Sequence, residues 1–210
     1  MKCTPVIALV FLLFSMACTK EKLSPDELKK YIADPGNGLL KEVTINNYKI
    51  TVYYRPVDLL TEQRLRTMDK PTMDSVAEIK KRYRGIIHFM LSMEYNNQDI
   101  LNRFSSDKVL FGEMLNRLSF NMGNYVNLVT SNKDTLPVTE SIYPRMYGST
   151  HSTAMLFAFD ATKINNASSV DFNLKEFGIP VGNNTFRFAM EDLNNTPEMK
   201  FNLNHHSNEN

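Results

Sequence analysis

The sequence predicts an α+β, β-rich fold, an antiparallel sandwich or open barrel with a few short helices in the N-terminal half. Three observations predict it. About seven to nine stretches of the 210 residues alternate or run apolar as strands do. Asn, Asp, Gly and Pro separate these stretches at short spacing. Helical spacing of apolar residues falls mostly in the first half of the chain.

The first element is not part of the fold. Lys2 is the only charge before Val6–Phe14, nine residues with no polar side chain. A helix crossing hydrocarbon needs roughly 20 apolar residues, so the run reads as a secretory signal over residues 1–17. Cys18 follows Ala17 directly, and Phe-Ser-Met-Ala at 14–17 resembles a lipobox in which Ser15 stands where Leu is more usual. The lipobox implies that the Cys18 thiol takes a diacylglycerol, that the chain is cut before it, and that the new amino terminus receives an acyl chain such as palmitate. A plain secretory signal with an incidental cysteine, or an uncleaved anchor, are the other readings. Cys3 leaves with the signal, so the mature chain carries a single cysteine and no internal disulfide. Two or more acyl chains hold a protein stably on a membrane, which makes the membrane a partner through the lipid. Thr19 stands where an inner-membrane lipoprotein would carry Asp, so the expected location is the outer membrane, with its periplasmic or surface face left open.

Loss of Lys2 leaves 23 basic and 23 acidic residues. That balance excludes an electrostatic nucleic-acid binder. The chain has no Trp but 13 Phe and 9 Tyr, enough aromatic surface for a core without disulfides. The expected organisation is a lipidated tether at 18–23, one globular domain at 24–201 and a flexible polar tail at 202–210.

"SPDEL" at 24–28 opens a helix: Ser24 caps, Pro25 suits the first turn, and Glu27 completes a capping box. Leu28, Tyr31 and Ile32 share a face, and Pro35-Gly36 stop the helix. In "KEVTINNYKITVYYRP", Val43 and Ile45 alternate with polar residues, as do Ile50, Val52 and Tyr54. Asn46-Asn47 tolerate the positive φ of a tight turn, which predicts a hairpin ending at Pro56. Residues 58–82 change period and give two helices separated by Pro71, the second carrying Val76, Ile79 and Tyr83 on one face. Ile86–Met93 is apolar enough for a central strand. "DKVLFGEMLNRLSF" predicts a helix with Leu110, Met114 and Leu118 on one side, weakened by Gly112. Phe120–Val129 reads as a strand, "TSNKDTLP" as a turn, and Val138–Tyr143 and "TAMLFAFD" as strands, the last one central. "FNLKEFGI" and "TFRFAMEDL" complete the series, with "EMKF" as a last short strand.

These elements, with the lipidated cysteine, "DPGNGLLKE" at 34–42, "YYRP" at 53–56, "DTLP" at 134–137 and "PRMYG" at 144–148, resemble a family of uncharacterised Bacteroidetes outer-envelope lipoproteins. Members often carry Glu before the Arg, where this chain has Pro144. The resemblance implies an anchored surface or periplasmic domain and no particular reaction.

Candidate chemistry is sparse. Of the four histidines, His88 sits in an apolar strand as a core or sheet-face residue, and His205-His206 lie in the tail, so no metal site is expected. "YGSTHST" at 147–153 crowds Gly, Ser and His without a nucleophile-elbow pattern and reads as a polar loop. The carboxylates show no pairing across a sugar-sized gap. "DPGNGL" lacks Walker spacing, and the Asn/Asp-rich loops at 165–173 and 194–198 lack EF-hand spacing. Tyr143, Arg145 and Tyr147 are the candidate ligand-binding residues, with Tyr53 and Tyr54 as further aromatic candidates. No cofactor is expected. The function that follows is a lipid-anchored envelope protein, more a non-enzymatic interaction or structural module docking on an envelope partner than an enzyme. The alternative is a surface lipoprotein that binds or processes glycans or peptides.

Overall fold

The computed structural model describes residues 22–144 and 151–203. Its first helix, α1 (Pro25–Ala33), begins as the sequence requires. Ser24 Oγ accepts from Glu27 N, and the Glu27 carboxylate accepts from Ser24 N at 2.8 Å. Leu28 and Ile32 on its inner face are buried. After a short 3-10 turn, β1 (Leu40–Ile45) and β2 (Tyr48–Tyr54) form the expected hairpin, with Asn46 and Asn47 at φ 49° and 67°. Helices α2 (Val57–Leu65) and α3 (Met73–Arg82) follow, the latter capped by Thr72 and Ser75, and lead into β3 (Ile86–Tyr95).

A two-residue strand β4 (Gln98–Asp99) folds back on β3 before α4 (Lys108–Asn116). The rest is β5 (Val126–Thr130), β6 (Thr135–Pro137), β7 (Glu140–Ile142), β8 (Thr153–Asp160), β9 (Ser169–Leu174), β10 (Asn184–Ala189) and α5 (Met190–Asn194). All strand pairs are antiparallel. One sheet runs β1-β2-β3-β8-β7, with β4 on the end of β3, and the other runs β10-β9-β5-β6. Both β3 and β8 are interior strands, as their unbroken apolarity predicts.

The sheets form a sandwich rather than an open barrel, and phenylalanines join them. Phe89 of β3 lies 5.8 Å from Phe172 of β9 and 4.9 Å from Phe188 of β10, between ring centres. Phe157 and Phe159 of β8 reach the same Phe172 edge-on at 5.9 and 6.1 Å. Each fully buried ring of this size contributes about 1.5–3 kcal/mol by leaving water, before the added edge-to-face attraction. The short segment between β6 and β7 carries the chain from one sheet to the other, so the strand expected at 138–143 is shortened to Glu140–Ile142, and the stretch expected to be a turn, "TSNKDTLP", ends in the strand β6. Thr139 marks the crossing, its N–H and its hydroxyl both donating to the Ala158 carbonyl at 2.9 Å.

Four further expectations need correction. Helices are not confined to the N-terminal half, because α5 closes the last strand. The alternation of Phe186 and Phe188 stops at Ala189, and Glu191 and Asp192 fill the first turn of a helix that buries Leu193. Gly38, at φ 72°, lets the start of β1 pass close to this helix; a Cβ there would collide with the Asp192 carboxylate. Second, the strand expected at 120–129 begins only at Val126. Residues Arg117–Asn121 form a π turn and Met122–Asn124 a 3-10 turn. Leu118 and Met122 are buried four residues apart, so the period is helical there. Third, Leu110 is 49% exposed instead of sharing the buried side with Met114 and Leu118. Each step of four residues advances about 40° round a helix, so a row centred on Leu118 keeps Met114 and Met122 and turns Leu110 outward.

"EMKF" is not a strand. It makes one parallel bridge, Leu23 to Met199.

Candidate functional site

Of the residues predicted to form a site, Cys18, Arg145 and Tyr147 lie outside the described residues. Tyr143, just past β7, is half-buried against the main core. Tyr53 and Tyr54 are half-buried in β2, and burial raises both phenol pKa values. Tyr54 packs its ring 6.0 Å from Phe89, so it serves the sheet rather than an open platform. Among the described residues no group of three or more His, Cys, Asp and Glu side chains is placed to hold a metal ion. No described helix is long and apolar enough to cross a membrane.

His88 is buried as expected, edge-on to Tyr83 at 5.4 Å, but its Nδ1 has no hydrogen-bond partner. Burial lowers its pKa from 6.5 to about 4, so the ring is neutral at ordinary pH. Arg55 directly follows the neighbouring strand β2, its N–H donating to the His88 carbonyl at 2.9 Å, and its Nε is likewise buried without a partner. The edge-on packing of the His88 ring against Tyr83 fits a structural role.

The chemistry of the surface gathers at the two ends of the sandwich. Strand β3 runs between them and spans about 30 Å. At its Tyr95 end stands α4 with its π turn. Here Val109 is 70% exposed, Leu110 49% and Phe120 70%, three of the five large apolar side chains exposed among the described residues. The same segment carries a groove of about 490 Å³ lined by Gly112, Glu113, Asn116, Arg117, Asn121, Asn124 and Tyr125. Asn121 Nδ2 donates to Asn116 Oδ1 at 2.9 Å, which orients two of the three amides. Arg117 donates to the Phe177 carbonyl and lies 5.9 Å over the Tyr125 ring, so it is held as part of the wall. Gly112 leaves the helix surface bare, since a Cβ there would meet nothing within 4 Å. A π turn inserted in a helix is a costly irregularity that recurs at functional sites. The sequence signal for this surface was available in principle: Val109-Leu110-Phe111 is an apolar triplet wider than the buried stripe of one helix can absorb.

At the Ile86 end the chain enters the domain. Leu23 N–H donates to the Glu198 carbonyl at 3.0 Å, and Lys200 N–H donates to the Leu23 carbonyl at 2.7 Å. Asp58, in the first turn of α2, accepts from Met199 N–H at 2.8 Å and from Lys80 Nζ at 2.6 Å. Beside it a groove of about 580 Å³ is lined by Val57, Ala77, Lys80, Lys81, Tyr83, Arg84, Gly85 and Ile86.

The described residues thus define a two-sheet antiparallel α+β sandwich with an apolar patch at one end and a basic groove at the other. Comparison with protein-family models, with curated proteins and with solved structures finds no match to this chain.

Proposed function

We propose that the chain is a lipid-anchored envelope protein that acts as a non-enzymatic docking module, and that its partner surface is the end of the sandwich remote from the tether. The observation that carries this reading is the exposure of Val109 and Leu110 on α4, the helix that also lines the asparagine-bearing groove. Apolar side chains clustered at a surface are retained where something covers them. The occupant that fits is an extended segment of an envelope protein. Its backbone amides match the Asn116, Asn121 and Asn124 amides, which both donate and accept, and its apolar side chains cover Val109 and Leu110. The membrane is a poor occupant because the patch lies at the opposite end of β3, a strand of about 30 Å, from the α2–α3 end where Leu23 enters.

The test is site-specific photo-cross-linking in intact cells, with the probe at Leu110 and, as control, at Thr185 on the outer face of the smaller sheet. The expected result is one protein captured from Leu110 and not from Thr185, with the cross-linked peptide an extended apolar segment. Capture of glycan alone, or equal capture from both positions, would sink the docking reading.

A further inference from the structure

The base of the domain carries a second surface whose partner follows from chain length and charge. The main chain is clamped from residue 22 onward, by the Leu23 hydrogen bonds and by the Lys22–Glu198 ion pair at 2.8 Å. Between Cys18 and Leu23 stand only residues 19–22. Fully extended, those five steps reach at most about 18 Å. If Cys18 carries the acyl chains, the base sits within that distance of the acyl-glycerol, in or beside the headgroup layer.

The groove at the base presents Lys80, Lys81 and Arg84 and no acidic side chain in its lining. Lys80 is neutralised by Asp58 and also lies 5.4 Å over the Phe201 ring, which ties the groove to the 198–201 segment that grips the tether. Lys81 and Arg84 are exposed, and neither side chain has an ion pair or hydrogen bond among the described residues. The negative end of the α3 dipole accounts for cations in its last turn. It does not account for Arg84, which lies beyond the helix and lines the same groove just before Gly85, at φ 75°.

We infer that this groove docks the base of the domain onto the anionic phosphate headgroups of the membrane that holds the anchor, with Lys81 and Arg84 as the phosphate-facing groups. The inference rests on the lipid-anchor reading. Its consequence is orientation: the basic end lies on the bilayer, and the Val109–Leu110–Phe120 end is carried outward toward its partner. Each basic residue near an anionic surface is worth about a fivefold gain in partition, so the contact is weak alone and effective once the anchor supplies proximity.

The test uses the purified full lipoprotein in phosphatidylcholine vesicles with and without phosphatidylglycerol. Intact mass and co-flotation with either vesicle report the anchor. A fluorophore on a cysteine placed at Ala77 in the groove, or at Lys108 at the far end, reports docking through quenching by headgroup-labelled lipid. The expected result is quenching at position 77 and not at 108, dependent on phosphatidylglycerol. It should fall at least tenfold in rate in high salt and in the Lys81→Glu/Arg84→Glu variant, which still floats. Equal quenching at both positions, or quenching unchanged by the double reversal, overturns docking while leaving the anchor intact. Protein lacking the acyl mass that floats only with phosphatidylglycerol vesicles overturns the anchor and supports docking. Protein that floats with neither overturns both.

Discussion

The two ends of the sandwich are built alike, each with helices packed beside the ends of the same strands, yet their surfaces are finished in opposite ways. At the base, α2 and α3 bury Leu65, Val76 and Ile79 in a small satellite core, and Phe201 and Leu203 pack on it. Asp58 there serves two donors at once. At the far end, α4 buries Met114 and the π turn buries Leu118, while Val109, Leu110 and Phe120 face outward. The difference teaches where to look for function. At the base, α3 is capped by Thr72 while α2 starts at Pro56 without a side-chain cap, and the exposed cations Lys81 and Arg84 have no ion pair among the described residues. At the far end what remains is apolar surface, and an apolar surface asks for a different partner than a cationic one.

The comparison breaks outright if the shared core fails. Phe172→Ala removes the ring that Phe89, Phe157 and Phe159 all touch, and should cost about 3–5 kcal/mol in denaturant unfolding, collapsing both ends together. An effect confined to one end in hydrogen exchange would show that the ends do not rest on one core.

A sharper contrast lies within the far end. Leu118→Ala, from a residue 1% exposed, should cost about 2–5 kcal/mol, whereas Leu110→Ala should stay within about 0.5 kcal/mol and remove the cross-linked partner. Equal destabilisation by the two would place Leu110 in the core after all.

The pH dependence should belong to the base side of β3. His88 has its folded pKa lowered from 6.5 to about 4, so the unfolded state binds the extra proton between those values. Its contribution is whole above pH 6.5 and is lost as pH falls toward 4, by up to about 3 kcal/mol before solvent relaxation is allowed for. His88→Gln should flatten the stability curve across that window. Asp171, lowered by its hydrogen bonds and charge contact with Arg187, acts at lower pH, where stability is lost as pH falls through its folded pKa. A curve unchanged in His88→Gln would mean that the ring takes up its proton in the folded state as readily as in the unfolded chain.

The smallest expected change is Gly112→Ala. With open space at the Cβ position, it should raise stability by up to about 1 kcal/mol through helix propensity. If the bare surface at Gly112 admits the partner, binding should weaken as stability rises, measured by cross-linking yield from Leu110 alongside the unfolding midpoint.

Much of the architecture was legible in local sequence. The Ser24–Glu27 capping box, the Asn46-Asn47 hairpin and the interior positions of β3 and β8 each depend on chemistry within a few residues. The site was less legible. Leu110 and Phe120 look like core residues because hydrophobicity alone does not say which apolar side chains find a neighbour. The basic groove draws Val57 and Ile86 to the same place as Lys80 and Arg84, a convergence that no spacing in the sequence announces.

What the sequence determined by itself is the fold class, the α1 capping box and the Asn46-Asn47 turn, because periodicity and capping are properties of contiguous residues. Only the tertiary structure decided that two sheets close over Phe172, that the segment after α4 continues as a π turn instead of a strand, and that charge and exposed apolar surface sit at opposite ends. Those outcomes depend on which distant elements pack together, and burial is a property of the pair, not of either strand or helix alone.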